Sequence, residues 1–144
     1  MKISIIVMAL VAAPSCWAAL GGPPSLSGSA VQSSAANTAS GASYTDLQSQ
    51  LPNGTVVHEY ANTSGTVFAV AWSGPFQPDL KALLGPWFDT YIEQAAQRKD
   101  AVHSHMAVSA ADLVVVSTGR MGAFQGRAWL VSQLPKDFNP QEMR

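Results

Sequence analysis

The sequence predicts an α+β domain in which an antiparallel sheet, in the order β-β-β-α-β-β-β, packs against one broken helix. Three observations carry this expectation. Short runs rich in β-branched and aromatic residues alternate with Gly/Pro/Asn turn signals. The links between neighbouring runs are too short for anything but antiparallel pairing. The one long link, residues 78–97, carries its apolar residues at helical spacing.

The elements follow in order. Tyr44 to Leu51 alternates and meets Pro52-Asn53-Gly54. Pro suits the first central turn position and Gly the left-handed one, so this is a hairpin turn. Thr55 to Ala61 is the returning strand. Asn62-Thr63-Ser64-Gly65 marks the next turn, and Thr66 to Trp72 the third strand. Period two puts Phe68, Val70 and Trp72 on one face and Val67, Ala69 and Ala71 on the other.

Ser73-Gly74-Pro75 then turns the chain out of the sheet. A hydrolase elbow needs G-x-S-x-G at such a join, and Ser73 sits between Trp72 and Gly74. The expectation is a structural corner. Pro78 and Asp79 suit a helix start. Leu80, Leu83 and Leu84 form one stripe, and Gly85-Pro86 breaks it. In the second piece Phe88, Tyr91, Ile92 and Ala95 face inward, with Asp89, Glu93, Gln94 and Gln97 in water. Strands over 102–108, 113–117 and 124–133 complete the sheet, with turns at Asp112 and over 118–122.

Hydrophobic content of 47% with 12% charged residues fits a folded chain, and 144 residues suffice for one domain. Met1-Lys2, the apolar run Ile3 to Ala13 and the small residues at Cys16 and Ala18 have the layout of a secretory signal peptide, residues 1–18. Lipid attachment at Cys16 is not expected, because Ala13-Pro14-Ser15 lacks the Leu of a lipoprotein signal and places Pro at its middle. Cleavage after Ala18 removes the single Cys, so no thiol chemistry or disulfide follows. No later run is long enough to cross a membrane as a helix. Residues 19–41 are dominated by Gly, Ser, Ala and Pro and read as a flexible leader. The domain is expected over 42–138, with 139–144 as a tail. A net charge of −1 with scattered basic residues gives no pull toward nucleic acid.

Several stretches carry a resemblance. LPNGTVVHEY (51–60), GTVFAVAW (65–72), GP (74–75), PDL (78–80), LLG (83–85), DLVV (112–115), FQGRAW (124–129), LP (134–135) and ALGG (19–22) keep order and spacing. Together they resemble the domain-of-unknown-function family 2844, small exported proteins of proteobacteria. The resemblance covers nearly the whole mature chain and implies a bacterial, exported setting. It brings no activity and no catalytic residues. In relatives the turn before Phe124 reads like Gly-His-Met-Arg; here Arg120 stands where that His is expected.

The candidate chemistry is sparse. His103-Ser104-His105 has strand spacing, but two His do not make a zinc site, and nothing in sequence brings His58 or Asp112 to them. No metal or cofactor is expected. Ser, His and Asp are numerous, and a triad is defined by geometry rather than by abundance. Glu59 and Asp46 are a carboxylate pair only if they meet across the first hairpin; otherwise both are exposed strand residues. Asn53 and Asn62 match the glycosylation pattern and also suit turns for backbone reasons.

Arg120, Arg127 and Trp129 are the polar-aromatic group of interest. Arg127 and Trp129 share a strand face, and Arg120 sits at the turn of their hairpin. Arg and Trp are enriched at binding hot spots, so these three are the candidate partner-binding residues. The bland alternative puts Trp129 in the core and the arginines in water. The functional expectation is a non-enzymatic exported domain, periplasmic or secreted, that binds another envelope component such as a protein. The alternatives are a small envelope hydrolase and a carrier with an apolar cavity between sheet and helix.

Overall fold

The computed structural model describes residues 20–24, 29–97 and 105–144. The expected signal peptide lies outside the described residues, as do His103 and Ser104. Seven strands form one sheet: β1 Ser29–Asn37, β2 Ser43–Gln50, β3 Val56–Asn62, β4 Val67–Gly74, β5 His105–Ala110, β6 Leu113–Arg120 and β7 Ala123–Leu130. Their spatial order is β1-β2-β3-β4-β7-β6-β5, and every neighbouring pair is antiparallel. The helical link carries the chain from β4 to the far edge. The second meander then returns inward, so β7 closes on β4. The fold is the expected α+β arrangement.

The turns form for the reasons the residues suggest. The Asn53 Oδ1 accepts the Thr55 N–H at 3.0 Å. The Asn62 Oδ1 accepts the N–H groups of Ser64 and Thr66, each at 3.0 Å. Both Asn side chains therefore serve the backbone of their own turns. The helix is broken as Gly85-Pro86 dictates, into α1 Leu80–Leu84, a 3-10 turn Gly85–Trp87 and α2 Phe88–Gln97. Asp79 caps α1, its Oδ1 accepting from the Lys81 and Ala82 N–H groups at 2.9 and 3.2 Å. Asp79→Ala leaves those donors unpaired and is expected to cost about 1 kcal/mol. The check is a lower urea midpoint at an unchanged m-value.

Two apolar clusters cover the two faces of the sheet. The helix face holds Val57, Val70, Trp72, Val115 and Leu130 under Leu80, Leu83, Leu84 and Tyr91. The opposite face holds Tyr60, Phe68, Ala71 and Trp129 with Leu134, Phe138 and Met143 of the C-terminal segment. We call it the tail face. Residues 139–144 are thus part of the packing, and Met143 is buried.

The structure departs from the sequence reading at several further points. First, Phe68 does not share a face with Val70 and Trp72. Tyr60 pairs with Ala69 and Ala61 with Val67, so Phe68 is an extra residue in a β-bulge. The bulge shifts the alternation by one, which puts Val67 on the helix face and Phe68 on the tail face. Second, segment 19–41 supplies the edge strand β1. Its ladder with β2 is a backbone interaction, and Gln32 to Ala35 point into solvent. A composition poor in apolar residues does not prevent such pairing. Leu20, from the same segment, is fully buried on the helix face, its N–H donating to the Leu83 carbonyl at 3.0 Å. Third, Ile92 is 47% exposed, so the inward stripe of α2 runs through Phe88, Tyr91 and Ala95 alone.

Candidate functional site

The corner at Ser73-Gly74-Pro75 is packed against the first hairpin turn. The Thr55 Oγ1 donates to the Phe76 carbonyl at 2.8 Å. A Cβ on Gly74 would stand 2.5 Å from the Thr55 Cα, so only glycine permits this approach. Ser73 lies just before that contact and is exposed.

Ser73 pairs with Gln125 on β7, and Gln125 pairs with Thr118 on β6. The three residues form one row across three strands, all on the tail face. Neighbours in such a row stand about 5 Å apart, so the row spans about 10 Å. Two cavities share these three residues. One, of about 930 Å³, reaches from Ser73-Gly74-Pro75 to the β6–β7 turn with Arg120, Met121 and Phe124. The other, of about 410 Å³, runs toward Val116, Arg127, Met143 and Arg144. Together they form one groove with a hydroxyl–amide–hydroxyl floor.

The candidate residues fall at different places in this groove. Arg120 is exposed at the hairpin tip, opposite Ala123. Arg127 is half-buried and held by the C-terminal segment. Its Nη1 donates to the Gln141 carbonyl at 3.1 Å, and its Nη2 to the Gln141 Oε1 at 2.8 Å. Trp129 shares the face of Arg127 as expected, but it is 9% exposed and belongs to the tail-face core. The groove has Arg120 at one end and Arg127 with Arg144 at the other, and leaves Trp129 beneath the surface. Sequence reasoning missed Ser73, Thr118 and Gln125 as a unit.

The other polar residues do not converge on the groove. The His58 Nδ1 lies 2.9 and 3.1 Å from the two Asp46 carboxylate oxygens. Its ring stacks on Tyr60, with centroids 6.2 Å apart. His58 is opposite Ala71 on β4, two residues from Ser73, and no hydrogen bond joins His58 to Ser73 among the described residues. Asp46 pairs with Tyr60 and Leu47 with Glu59, so the two carboxylates point to opposite faces. Glu59, expected in water, is 2% exposed on the helix face. Asp112 is committed to Ser132, accepting from its backbone N–H at 2.6 Å and from its hydroxyl. Among the described residues no group of three or more His, Cys, Asp or Glu is placed to hold a metal ion. No described helix is long and apolar enough to cross a membrane.

Burial pushes the Tyr60 hydroxyl up to about 12, against the hydrogen bond it accepts from the Arg144 N–H at 3.3 Å. Burial also raises Tyr91. In the folded chain Tyr60 keeps its proton where the unfolded chain has lost it. Its contribution to stability is complete below pH 10.0 and is lost as pH rises toward about 12. Tyr60→Phe is expected to flatten part of that alkaline decline, read from urea midpoints across the same pH range.

Residues 16–143 match a family described as "Protein of unknown function (DUF2844)". The match spans most of the chain, which belongs to that family. No curated protein and no solved structure matches the chain.

Proposed function

We propose that this member of the DUF2844 family is a non-enzymatic binding domain of the bacterial cell envelope, exported by its N-terminal segment, and that its binding surface is the groove over β4, β7 and β6. The observation that carries this reading is the convergence of two cavities on Ser73, Gln125 and Thr118. These residues sit on a stiff, fully paired part of the sheet, which is where a preorganised surface belongs. Arg120 and Arg127 frame the groove. Trp129 acts from below, by holding the sheet floor in place.

The alternatives have less behind them. A hydrolase needs a nucleophile at the Nε2 of His58, whose Nδ1 faces Asp46, and no Ser, Thr or Cys hydrogen-bonds His58 among the described residues. A carrier needs a cavity between sheet and helix. The two cavities of the groove are lined by β4, β6, β7 and their flanking segments, away from α1 and α2.

The test is crosslinking in living cells at native abundance, followed by mass spectrometry of what co-purifies. The expected result is a recurrent envelope component that is depleted in Arg120→Gln. Arg120 is exposed, so this variant keeps the parent melting temperature. Recovery of the same component from both proteins would place binding elsewhere on the chain.

A further inference from the structure

The groove collects positive charge in a chain whose net charge is −1. Arg120, Arg127 and Arg144 line it, which is three of the eight Lys and Arg residues of the whole chain. No Asp or Glu is among its described lining residues. None of the three arginines is held by an ion pair among the described residues. Arg120 and Arg127 are therefore cations with no carboxylate partner in the groove, and each is open to an anion.

The arrangement also has direction. Arg127 commits two N–H donors to Gln141, which fixes its guanidinium over the floor. Of five donors the rest remain for a ligand, in the fork geometry that fits a carboxylate. Arg127 lies two residues along β7 from Gln125, and Arg120 is opposite Ala123, four residues from Arg127. At strand rise the two arginines are rooted about 14 Å apart, with the polar row between them. That is the spacing of residues i and i+4 on one face of an extended peptide, and too wide for one small anion. The rim is apolar. Met121 is 98% exposed at the hairpin tip, and Phe76, next to the lining Pro75, is 57% exposed.

From this combination we infer that the groove takes an extended acidic peptide segment, with carboxylates on Arg120 and Arg127 and apolar side chains on Met121 and Phe76. The Ser73, Gln125 and Thr118 side chains hydrogen-bond its backbone. The inference rests on the groove being the binding surface, and it names the chemistry of the partner.

The probe is a fluorescein-labelled peptide of alternating glutamate and valine, titrated against the full mature chain by anisotropy. Its controls are the glutamine–valine peptide, phosphatidylglycerol vesicles and polygalacturonate. The glutamate peptide is expected to bind at least ~10-fold more tightly than the glutamine peptide, with affinity falling as salt rises. Arg120→Gln should weaken it about threefold at an unchanged melting temperature. Arg127→Lys keeps the charge but loses the fork, and should weaken it by a similar factor. Equal binding of the two peptides overturns the inference, as does binding of vesicles or polygalacturonate without the glutamate peptide. If the peptide fails while a cellular partner still depends on Arg120, the ligand class falls and the binding surface stands.

Discussion

Gly126→Ala is expected to lower stability by about 3 kcal/mol, a loss of roughly 10 °C in melting temperature for a chain of this size. Gly126 lies opposite Trp72 on β4 and opposite Ser117 on β6. The Trp72 indole lies directly over it. A Cβ at this position would stand 2.3 Å from the Trp72 Cζ2, 2.6 Å from its Cε2 and 2.9 Å from the Val116 carbonyl oxygen. Trp72 is 1% exposed and cannot swing aside without opening the helix-face core. The backbone oxygen cannot move without breaking the β6–β7 ladder. Substituting Phe at position 72 in the Gly126→Ala background removes the clashing ring atoms. The double variant is therefore expected to lose less than the sum of the two single losses, the signature of direct contact. Thermal and urea denaturation measure both. A Gly126→Ala protein as stable as the parent would contradict the packing described for these strands.

Phe68→Ala is expected to lower stability by about 3–5 kcal/mol, and to loosen one particular part of the molecule. Phe68 is fully buried, and it meets Phe138 edge-on with ring centroids 4.9 Å apart. Phe138 in turn meets Tyr44 at 5.2 Å and Tyr60 at 5.7 Å. These contacts hold the C-terminal segment on the tail face, and with it the Gln141 that orients Arg127. Amide exchange should therefore accelerate over residues 134–144 in Phe68→Ala. Val70→Ala, on the helix face of the same strand, should destabilise the domain without that local signature. The same local acceleration in both variants would contradict the assignment of Phe68 to the tail face.

The contrast between these two residues shows which parts of the fold local sequence carries. Turns at Asn53 and Asn62 and the break at Gly85-Pro86 were legible, because each depends on a side chain or ring acting within a few residues. The parity of β4 was not. A bulge adds one residue on β4 relative to β3, and no period counted along β4 alone reveals it. The strand β1 was hidden for another reason. Its pairing uses backbone groups, while its Ser, Ala and Gln side chains carry no apolar signal. Glu59 was misplaced because it alternates in register with Val57 and Ala61, on the face that the helix covers.

The site was legible only in Arg120 and Arg127; Arg144 was read as part of a tail. Arg127 and Trp129 share a face, as period two requires, but their depths differ: one reaches the groove and the other lies in the core. Ser73, Gln125 and Thr118 lie far apart in the chain and meet through the β4–β7 and β6–β7 registers. That row belongs to the topology, because β7 has to return beside β4 before it exists. The corner at Ser73-Gly74-Pro75 is structural in its glycine, which Thr55 demands, while its serine lines the groove.

The most direct test of the account places a photoreactive side chain at Gln125, in the middle of the row, and a second one at Glu93, exposed on the outer side of α2. Each protein is irradiated in living cells. The account predicts one envelope partner captured from position 125, absent from position 93, and depleted when Arg120→Gln is added. Capture from position 93 alone, or capture from position 125 that ignores Arg120, would contradict it.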